Sequence, residues 1–97
     1  MKVLLVCAAG MSTSLLTTKM RKEGGPGDVV EAVPVGELEA HIDNYDVVLL
    51  GPQIRFKLKE VETLAASRGK KASIIDMRVY GTMDGKAAMD QARALLD

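Results

Sequence analysis

The chain has 97 residues, the size of one domain, because a single hydrophobic core serves about 100 residues. Hydrophobic residues make up 47% of it and aromatic residues only 3%, which favours aliphatic strands and alanine-rich helices over an aromatic-rich β-barrel. Thirteen basic and thirteen acidic residues cancel to zero formal net charge, so the basic footprint typical of nucleic-acid binding is missing. No nucleic-acid partner is therefore expected.

Nothing in the sequence has the pattern of a membrane or targeting segment. The longest apolar runs, residues 3–9 and 47–51, are far too short to span a bilayer. The start lacks the charged region, long apolar stretch and cleavage site of a signal peptide. Cys7 is the only cysteine, so no internal disulfide can form. We therefore expect a cytoplasmic protein with no direct membrane insertion.

The first half of the chain alternates between an apolar run and a helical pattern. Residues 2–7 (KVLLVC) predict a buried strand, and Ser12 is placed to cap the helix that follows. The glycine-rich segment 24–27 ends that helix. Residues 29–35 predict a second strand, which should lie at a sheet edge or end at Pro34, because proline has no backbone donor.

The second half continues the same alternation. Residues 37–42 predict a short helix, and residues 46–51 (DVVLLG) a strand that is apolar on both faces. Apolar residues at helical spacing predict a third helix over 54–65. Residues 72–76 predict the fourth strand, and a last helix should run from about 85 to 96.

This alternation predicts an α/β fold. Crossover helices between strands imply a four-stranded parallel sheet with helices on both faces, a three-layer sandwich formed by a single domain over residues 1–97. We expect the flavodoxin-like strand order 2-1-3-4. That order places the ends of strands one and three side by side, at a switch point where α/β proteins bind ligands.

Reactive chemistry is expected in the turn between the first strand and the first helix. Its residues are Cys7, Ala8, Ala9, Gly10, Met11, Ser12, Thr13 and Ser14. Small side chains let backbone N–H groups approach a bound group, and the positive end of the helix dipole favours both an anion and a thiolate. A nucleophile beside an oxyanion cradle suits phosphoryl transfer through cysteine.

Each part of this turn also has an ordinary explanation. A cysteine at the end of a buried strand is more often an inert core residue, and a serine-capped helix is common α/β construction. The combination, with the only cysteine of the chain opening the turn, favours the functional interpretation. His41, the only histidine, is expected to be a solvated surface residue, and no metal site is predicted.

Three segments resemble one protein family. The run CAAGMSTSLL, from Cys7, resembles the C-x-x-G-M-S-T-S-L-L loop of the lactose/cellobiose class of enzyme IIB of the bacterial sugar phosphotransferase system. Residues 46–53 (DVVLLGPQ) resemble the third strand and following loop of that family, and residues 79–85 (VYGTMDG) its Y-G-x-x-D-G segment. The resemblance extends over essentially the whole chain.

The resemblance implies a phosphocarrier that needs no cofactor and no metal. Cys7 would take a phosphoryl group from a phosphohistidine on enzyme IIA and pass it to a sugar bound by the membrane enzyme IIC, with residues 8–14 wrapping the phosphoryl oxygens. Gln53 and Tyr80 match positions that face this loop in the family. Gln53 would donate from its side-chain amide, and Tyr80 would form one wall of the site. Asp84 is expected to cap the last helix. A monomer is expected, and the sugar would be a β-glucoside, cellobiose, chitobiose or lactose.

Two other functions are compatible with such a fold. A low-molecular-weight tyrosine phosphatase has a similar cysteine loop but needs C-x5-R, and Thr13 stands where the arginine would bind phosphate. A nucleotide or flavin binder would need a glycine-rich phosphate motif or stacking aromatic residues, which this sequence lacks. The phosphatase is the nearer alternative.

Overall fold

The computed structural model describes residues 1–7 and 14–96, with Ser14 described by its backbone only. Four parallel strands form one sheet in the order β2-β1-β3-β4, which confirms the predicted fold. The strands are β1 (Lys2–Cys7), β2 (Val29–Pro34), β3 (Val47–Leu50) and β4 (Lys71–Ile74). The α-helices are α1 (Ser14–Glu23), α2 (Leu38–His41), α3 (Leu58–Ser67), α4 (Met77–Gly81) and α5 (Gly85–Leu96). Short 3₁₀ segments cover Val35–Glu37, Ile42–Asn44 and Pro52–Lys57.

The two central strands divide the core into two layers. Successive side chains of a strand point to opposite faces of the sheet, so each strand feeds both layers. One face packs against α1 and α5, and the other against α2 and α3. The first face receives Val3, Leu5, Val47 and Leu49, and the second receives Leu4, Val6, Val48 and Leu50, all fully buried. Burial on both faces explains why these strands are apolar without alternation.

One predicted edge strand and one predicted helix cap are confirmed. β2 is an edge strand and ends at Pro34, which lies opposite Cys7 in the register of β1 and β2. The backbone N–H of Ala87 donates to Asp84 Oδ1 at 3.0 Å, so Asp84 caps α5. Both features follow from local chemistry: proline cannot donate to a ladder, and an aspartate accepts the free amides of a first helical turn.

The structure differs from the prediction after the third and fourth strands. The chain after β3 forms the 3₁₀ segment Pro52–Lys57, with Ile54 out of helical geometry (φ −115°, ψ 27°), and a regular helix begins only at Leu58. β4 ends at Ile74, two residues earlier than predicted. Asp76 instead caps α4, a helix that the sequence analysis did not predict, by accepting hydrogen bonds from the N–H groups of the second and third residues that follow it.

Asp28 closes the turn between α1 and β2. Its carboxylate accepts hydrogen bonds from the Gly25 N–H at 2.9 Å and the Met1 ammonium at 3.0 Å, with Arg93 3.7 Å away. These contacts, with the Gly25 hydrogen bond the largest cause, hold the pKa of Asp28 below its ordinary value of 3.8. A carboxylate with a lowered pKa stabilises the folded state above its ordinary pKa and loses that contribution as pH falls through the lowered value.

We therefore expect Asp28→Asn to destabilise the protein at neutral pH and progressively less in acid. Urea unfolding of both proteins from about pH 6 down to about pH 2 measures the difference in unfolding free energy. The difference in unfolding free energy between the two proteins should decrease below about pH 4, as the wild-type carboxylate takes up a proton. A difference that stays constant over this pH range would contradict the stabilising role of the Asp28 carboxylate.

Candidate active site

Cys7 lies at the carboxyl end of β1, where the pairing between β1 and β2 stops. Its side chain is only 6% exposed, and its thiol donates a hydrogen bond to the Val33 carbonyl at 3.7 Å. The residue opposite it on β2 is Pro34. The thiol therefore lies at the end of a buried strand instead of on a free loop, which holds its sulfur in place.

The missing side chain of Gly51 creates space beside Cys7. Val6 pairs with Leu50 on β3. The residues that follow them, Cys7 and Gly51, are therefore also neighbours, about 4.8 Å apart. The Gly51 N–H donates to the Val6 carbonyl at 2.9 Å, which continues this pairing. Side-chain alternation directs both positions toward the layer of α1 and α5.

Gln53 and Tyr80 surround the space above Gly51. A Cβ atom built on Gly51 would lie 2.8 Å from Gln53 Oε1 and 3.8 Å from Tyr80 Cε2. The Gln53 amide thus occupies the place that a side chain at position 51 would take. Tyr80, on α4, is 9% exposed and belongs to the core cluster beneath the site. The structure therefore brings both residues to the strand end that adjoins Cys7.

A groove opens from this point toward solvent. It has a volume of about 490 Å³, and its walls come from the 3₁₀ segment after β3 and from α4. Its lining consists of Pro52, Gln53, Arg55, Met77, Tyr80 and Gly81. Met77 is 66% exposed in the groove. We call this set of six residues the β3–α4 groove.

The remaining predicted site residues have different outcomes. Residues 8–13 lie outside the described part of the chain, and Ser14 is described only as the first residue of α1. The first turn of α1 carries no acidic residue and its last turn carries Arg21 and Lys22, so no side chain of that first turn offsets the positive end of the helix dipole. His41 lies on α2, with Nε2 3.9 Å from Glu37 Oε1.

Sequence reasoning missed two features of this site. The first is Gly51. Its position beside Cys7 could have been found by aligning the two apolar strands, because Val6 pairs with Leu50 and the next residues are Cys7 and Gly51. The groove depends on α4, which was not predicted. Among residues 1–7 and 14–96, no three His, Cys, Asp or Glu side chains are grouped so that they could hold a metal ion, and no helix there has the length and apolar character to cross a bilayer.

Comparisons with known proteins agree on one family. The family model described as "PTS system, Lactose/Cellobiose specific IIB subunit" matches residues 2–91. The oligo-beta-mannoside-specific EIIB component of the Bacillus subtilis phosphotransferase system is 42% identical, over 98% of this chain and 95% of that protein. The galactose-specific EIIB component of Lactococcus lactis is 36% identical over the same shares.

A solved structure gives the same result. The cellobiose-specific phosphotransferase IIB component from Borrelia burgdorferi superposes with a TM-score of 0.80 and 37% identity, covering 99% of this chain and 91% of that one. The chain belongs to the lactose/cellobiose-specific IIB family of the sugar phosphotransferase system. It is therefore a phosphotransferase component, and these relatives do not favour the phosphatase alternative.

Proposed function

We propose that Cys7 carries the phosphoryl group. The observation that supports this most is the position of Cys7. The only cysteine of the sequence lies at the carboxyl end of the central strand β1, and the amino end of α1 follows it in sequence. The donor would be a phosphohistidine of enzyme IIA, and the acceptor a sugar bound by membrane enzyme IIC. In this function all 97 residues act as one cytoplasmic, monomeric IIB domain that needs no cofactor.

The proposed reaction consists of two in-line displacements. The Cys7 thiolate attacks phosphorus, an S–P bond forms, and the P–N bond breaks with its electron pair passing to the histidine ring, which takes up a proton. A sugar hydroxyl then attacks the same phosphorus, a P–O bond forms, and Cys7 leaves as the thiolate while the hydroxyl proton passes to a base or water. The phosphoryl group carries about −1.5 to −2 charges, by analogy with other phosphorylated side chains.

The amides of residues 8–14 and the amino end of α1 are proposed to stabilise this charge. Gln53 would add a side-chain N–H donor from the 3₁₀ segment that follows β3, after rotation of its amide, and Tyr80 would form an apolar wall. The sequence has no Asp-Pro loop of the kind with which a phosphatase supplies an acid, and this suits a carrier, because phosphocysteine must survive until a partner arrives.

The sugar is proposed to be an oligosaccharide or a β-glycoside. Relatives are named for oligo-beta-mannoside, galactose and cellobiose, which spans several sugars within one family. In the proposed mechanism the sugar is bound by enzyme IIC, so the choice of sugar would depend on that partner and not on the Cys7 site.

The direct test is mass spectrometry of the protein after incubation with phosphoenolpyruvate, the general phosphotransferase proteins and the cognate enzyme IIA. We expect one added phosphoryl group, located on Cys7 by peptide analysis. Phosphate on His41 or on a serine would contradict the proposal, and so would hydrolysis of an aryl phosphate without any transfer to the chain.

Gln53→Ala is expected to slow phosphorylation of Cys7 about 10-fold, because one donor to the transferred group is removed. Stability should change by less than about 0.5 kcal/mol, since the Gln53 side chain is exposed and no hydrogen bond of it is found within residues 1–7 and 14–96. Single-turnover transfer from phosphorylated enzyme IIA measures the rate, and urea unfolding the stability.

Gln91 is the matched control for Gln53. Its amide donates to the Ile74 carbonyl at 2.6 Å and to Ser73 Oγ at 3.1 Å, and Gln91 does not line the groove. Gln91→Ala should cost about 1 kcal/mol of stability and leave the transfer rate unchanged. If both variants slowed transfer equally, the role of Gln53 would be structural only.

A further inference from the structure

The backbone at Gly51 does not require a glycine. Gly51 is buried and extended (φ −64°, ψ 143°), a conformation that any residue adopts. What distinguishes glycine from alanine at this position is therefore the space around it. Three atoms surround the place that a methyl group would take, and they belong to Val6, Gln53 and Tyr80.

Two of these three neighbours would tolerate alanine. A Cβ atom at position 51 would lie 3.7 Å from the Val6 carbonyl oxygen and 3.8 Å from Tyr80 Cε2, which are ordinary van der Waals distances. It would lie only 2.8 Å from Gln53 Oε1, which is too close. Gln53 is exposed and can change its rotamer, so alanine would move this amide and leave the backbone in place.

No hydrogen bond fixes the Gln53 amide to the described part of the chain, residues 1–7 and 14–96. The amide of Gln91 is different, because the Ile74 carbonyl and Ser73 Oγ both accept hydrogen bonds from it, at 2.6 and 3.1 Å. The place of the Gln53 amide therefore depends on the space that Gly51 leaves open.

We propose that Gly51 is a positioning residue of the phosphoryl transfer, because it gives the Gln53 amide room next to Cys7. Cys7 and Gly51 are neighbours on adjacent strands and their side-chain directions are the same. An amide in the place of the Gly51 side chain is thus about one strand spacing, ~4.8 Å, from the Cys7 side chain. The inference rests on the proposed roles of Cys7 and Gln53, and it adds the residue that gives the amide its place.

The first test is a double-mutant cycle of Gly51→Ala and Gln53→Ala. Gly51→Ala should slow single-turnover transfer from phosphorylated enzyme IIA to Cys7 about 10-fold, as Gln53→Ala should. The double variant should be no slower than Gln53→Ala, because an amide that is absent cannot be displaced. The half-saturating concentration of enzyme IIA should stay within about 2-fold, since the lost contact is made to the transferred group.

The second test follows the amide itself by NMR. Only Asn44, Gln53 and Gln91 carry a side-chain amide, so a ¹⁵N–¹H correlation spectrum contains three pairs of side-chain NH₂ signals. The pair that is missing from Gln53→Ala belongs to Gln53. In the wild type this pair should shift when Cys7 is phosphorylated, and in Gly51→Ala it should not. The Gln91 pair should stay unchanged in both proteins.

Gly25→Ala is the matched control. Gly25 lies between α1 and β2, at the amino edge of the sheet and away from Cys7. In the described part of the chain, no atom beyond its own chain neighbours lies within 4 Å of a Cβ built there. This variant should transfer within about 2-fold of the wild-type rate, and in both glycine variants the midpoint of urea unfolding should move by less than about 0.3 M.

The outcomes separate the two proposals. A wild-type rate in Gly51→Ala would overturn the positioning role, and so would losses that multiply in the double variant, because Gly51 would then act independently of Gln53. A Gln53 signal that shifts on phosphorylation of Gly51→Ala as it does in the wild type would overturn it as well. If the wild-type chain acquired no phosphate on Cys7 at all, the proposed function itself would fail.

Discussion

Cys7→Ser is expected to reduce transfer of phosphate to sugar by about 10³-fold or more. The thiolate is the nucleophile and also the leaving group of the second step, and a serine hydroxyl is protonated and a poor substitute in both. The measurement is sugar phosphorylation in a reconstituted system, together with the intact mass of the variant after exposure to phosphorylated enzyme IIA.

Stability provides the control for this variant. Serine is slightly smaller than cysteine and keeps a donor for the Val33 carbonyl, so the free energy of unfolding should change by no more than about 1 kcal/mol. Cys7→Ala removes the acceptor atom altogether and should show the same loss of transfer. A serine variant that accepted phosphate within about 10-fold of the wild-type rate would show that the acceptor lies elsewhere.

Gly85→Ala is expected to destabilise the fold by about 2–3 kcal/mol, although alanine is the better helix former. Gly85 is the first residue of α5 and is buried where that helix crosses α1. A Cβ atom there would lie 2.7 Å from the Met20 backbone nitrogen and closer still to the Lys19 carbonyl group. Backbone atoms cannot rotate away as a side chain can, so α1 and α5 must move apart.

Urea unfolding monitored by circular dichroism measures this effect, and an unchanged slope with denaturant would show that the denatured state is unaffected. Gly36→Ala is the matched control, because no atom beyond its own chain neighbours lies within 4 Å of a Cβ built there. It should change stability by no more than about 0.5 kcal/mol. Equal effects at the two glycines would mean that the crossing of α1 and α5 is looser than its geometry indicates.

Much of the fold was predictable from local patterns. A strand that is apolar on both faces must be covered on both faces, so residues 2–7 and 46–51 already implied central strands between two helical layers. Pro34 and Asp84 were predictable for the same kind of reason, because a missing donor and a capping carboxylate act within a few residues. The family was recognisable from three short segments, beginning with the Cys7 loop.

The end of β4 was not predictable, because the difference depends on distant contacts. Residues 72–76 (ASIID) have the composition of a continuous strand, yet only Lys71–Ile74 pair with β3. The next residue, Ile75, donates to the Leu50 carbonyl at 2.8 Å and is fully buried, while Asp76 turns to cap α4. The apolar pattern of residues 72–76 does not indicate where β3, the strand that pairs with them, ends.

By itself the sequence determined the class of fold and the cysteine that is proposed to react, because period, apolar content and motif are properties of neighbouring residues. The strand order was an expectation that the long-range pairing of the strands confirmed. Only the tertiary structure decided what surrounds Cys7. Register between β1 and β3 places Gly51 beside it, and packing of α4 brings Tyr80 and Met77 to the same edge. It also decided which arginines find a carboxylate, since ion pairs such as Arg68 with Asp43 join residues far apart in the chain.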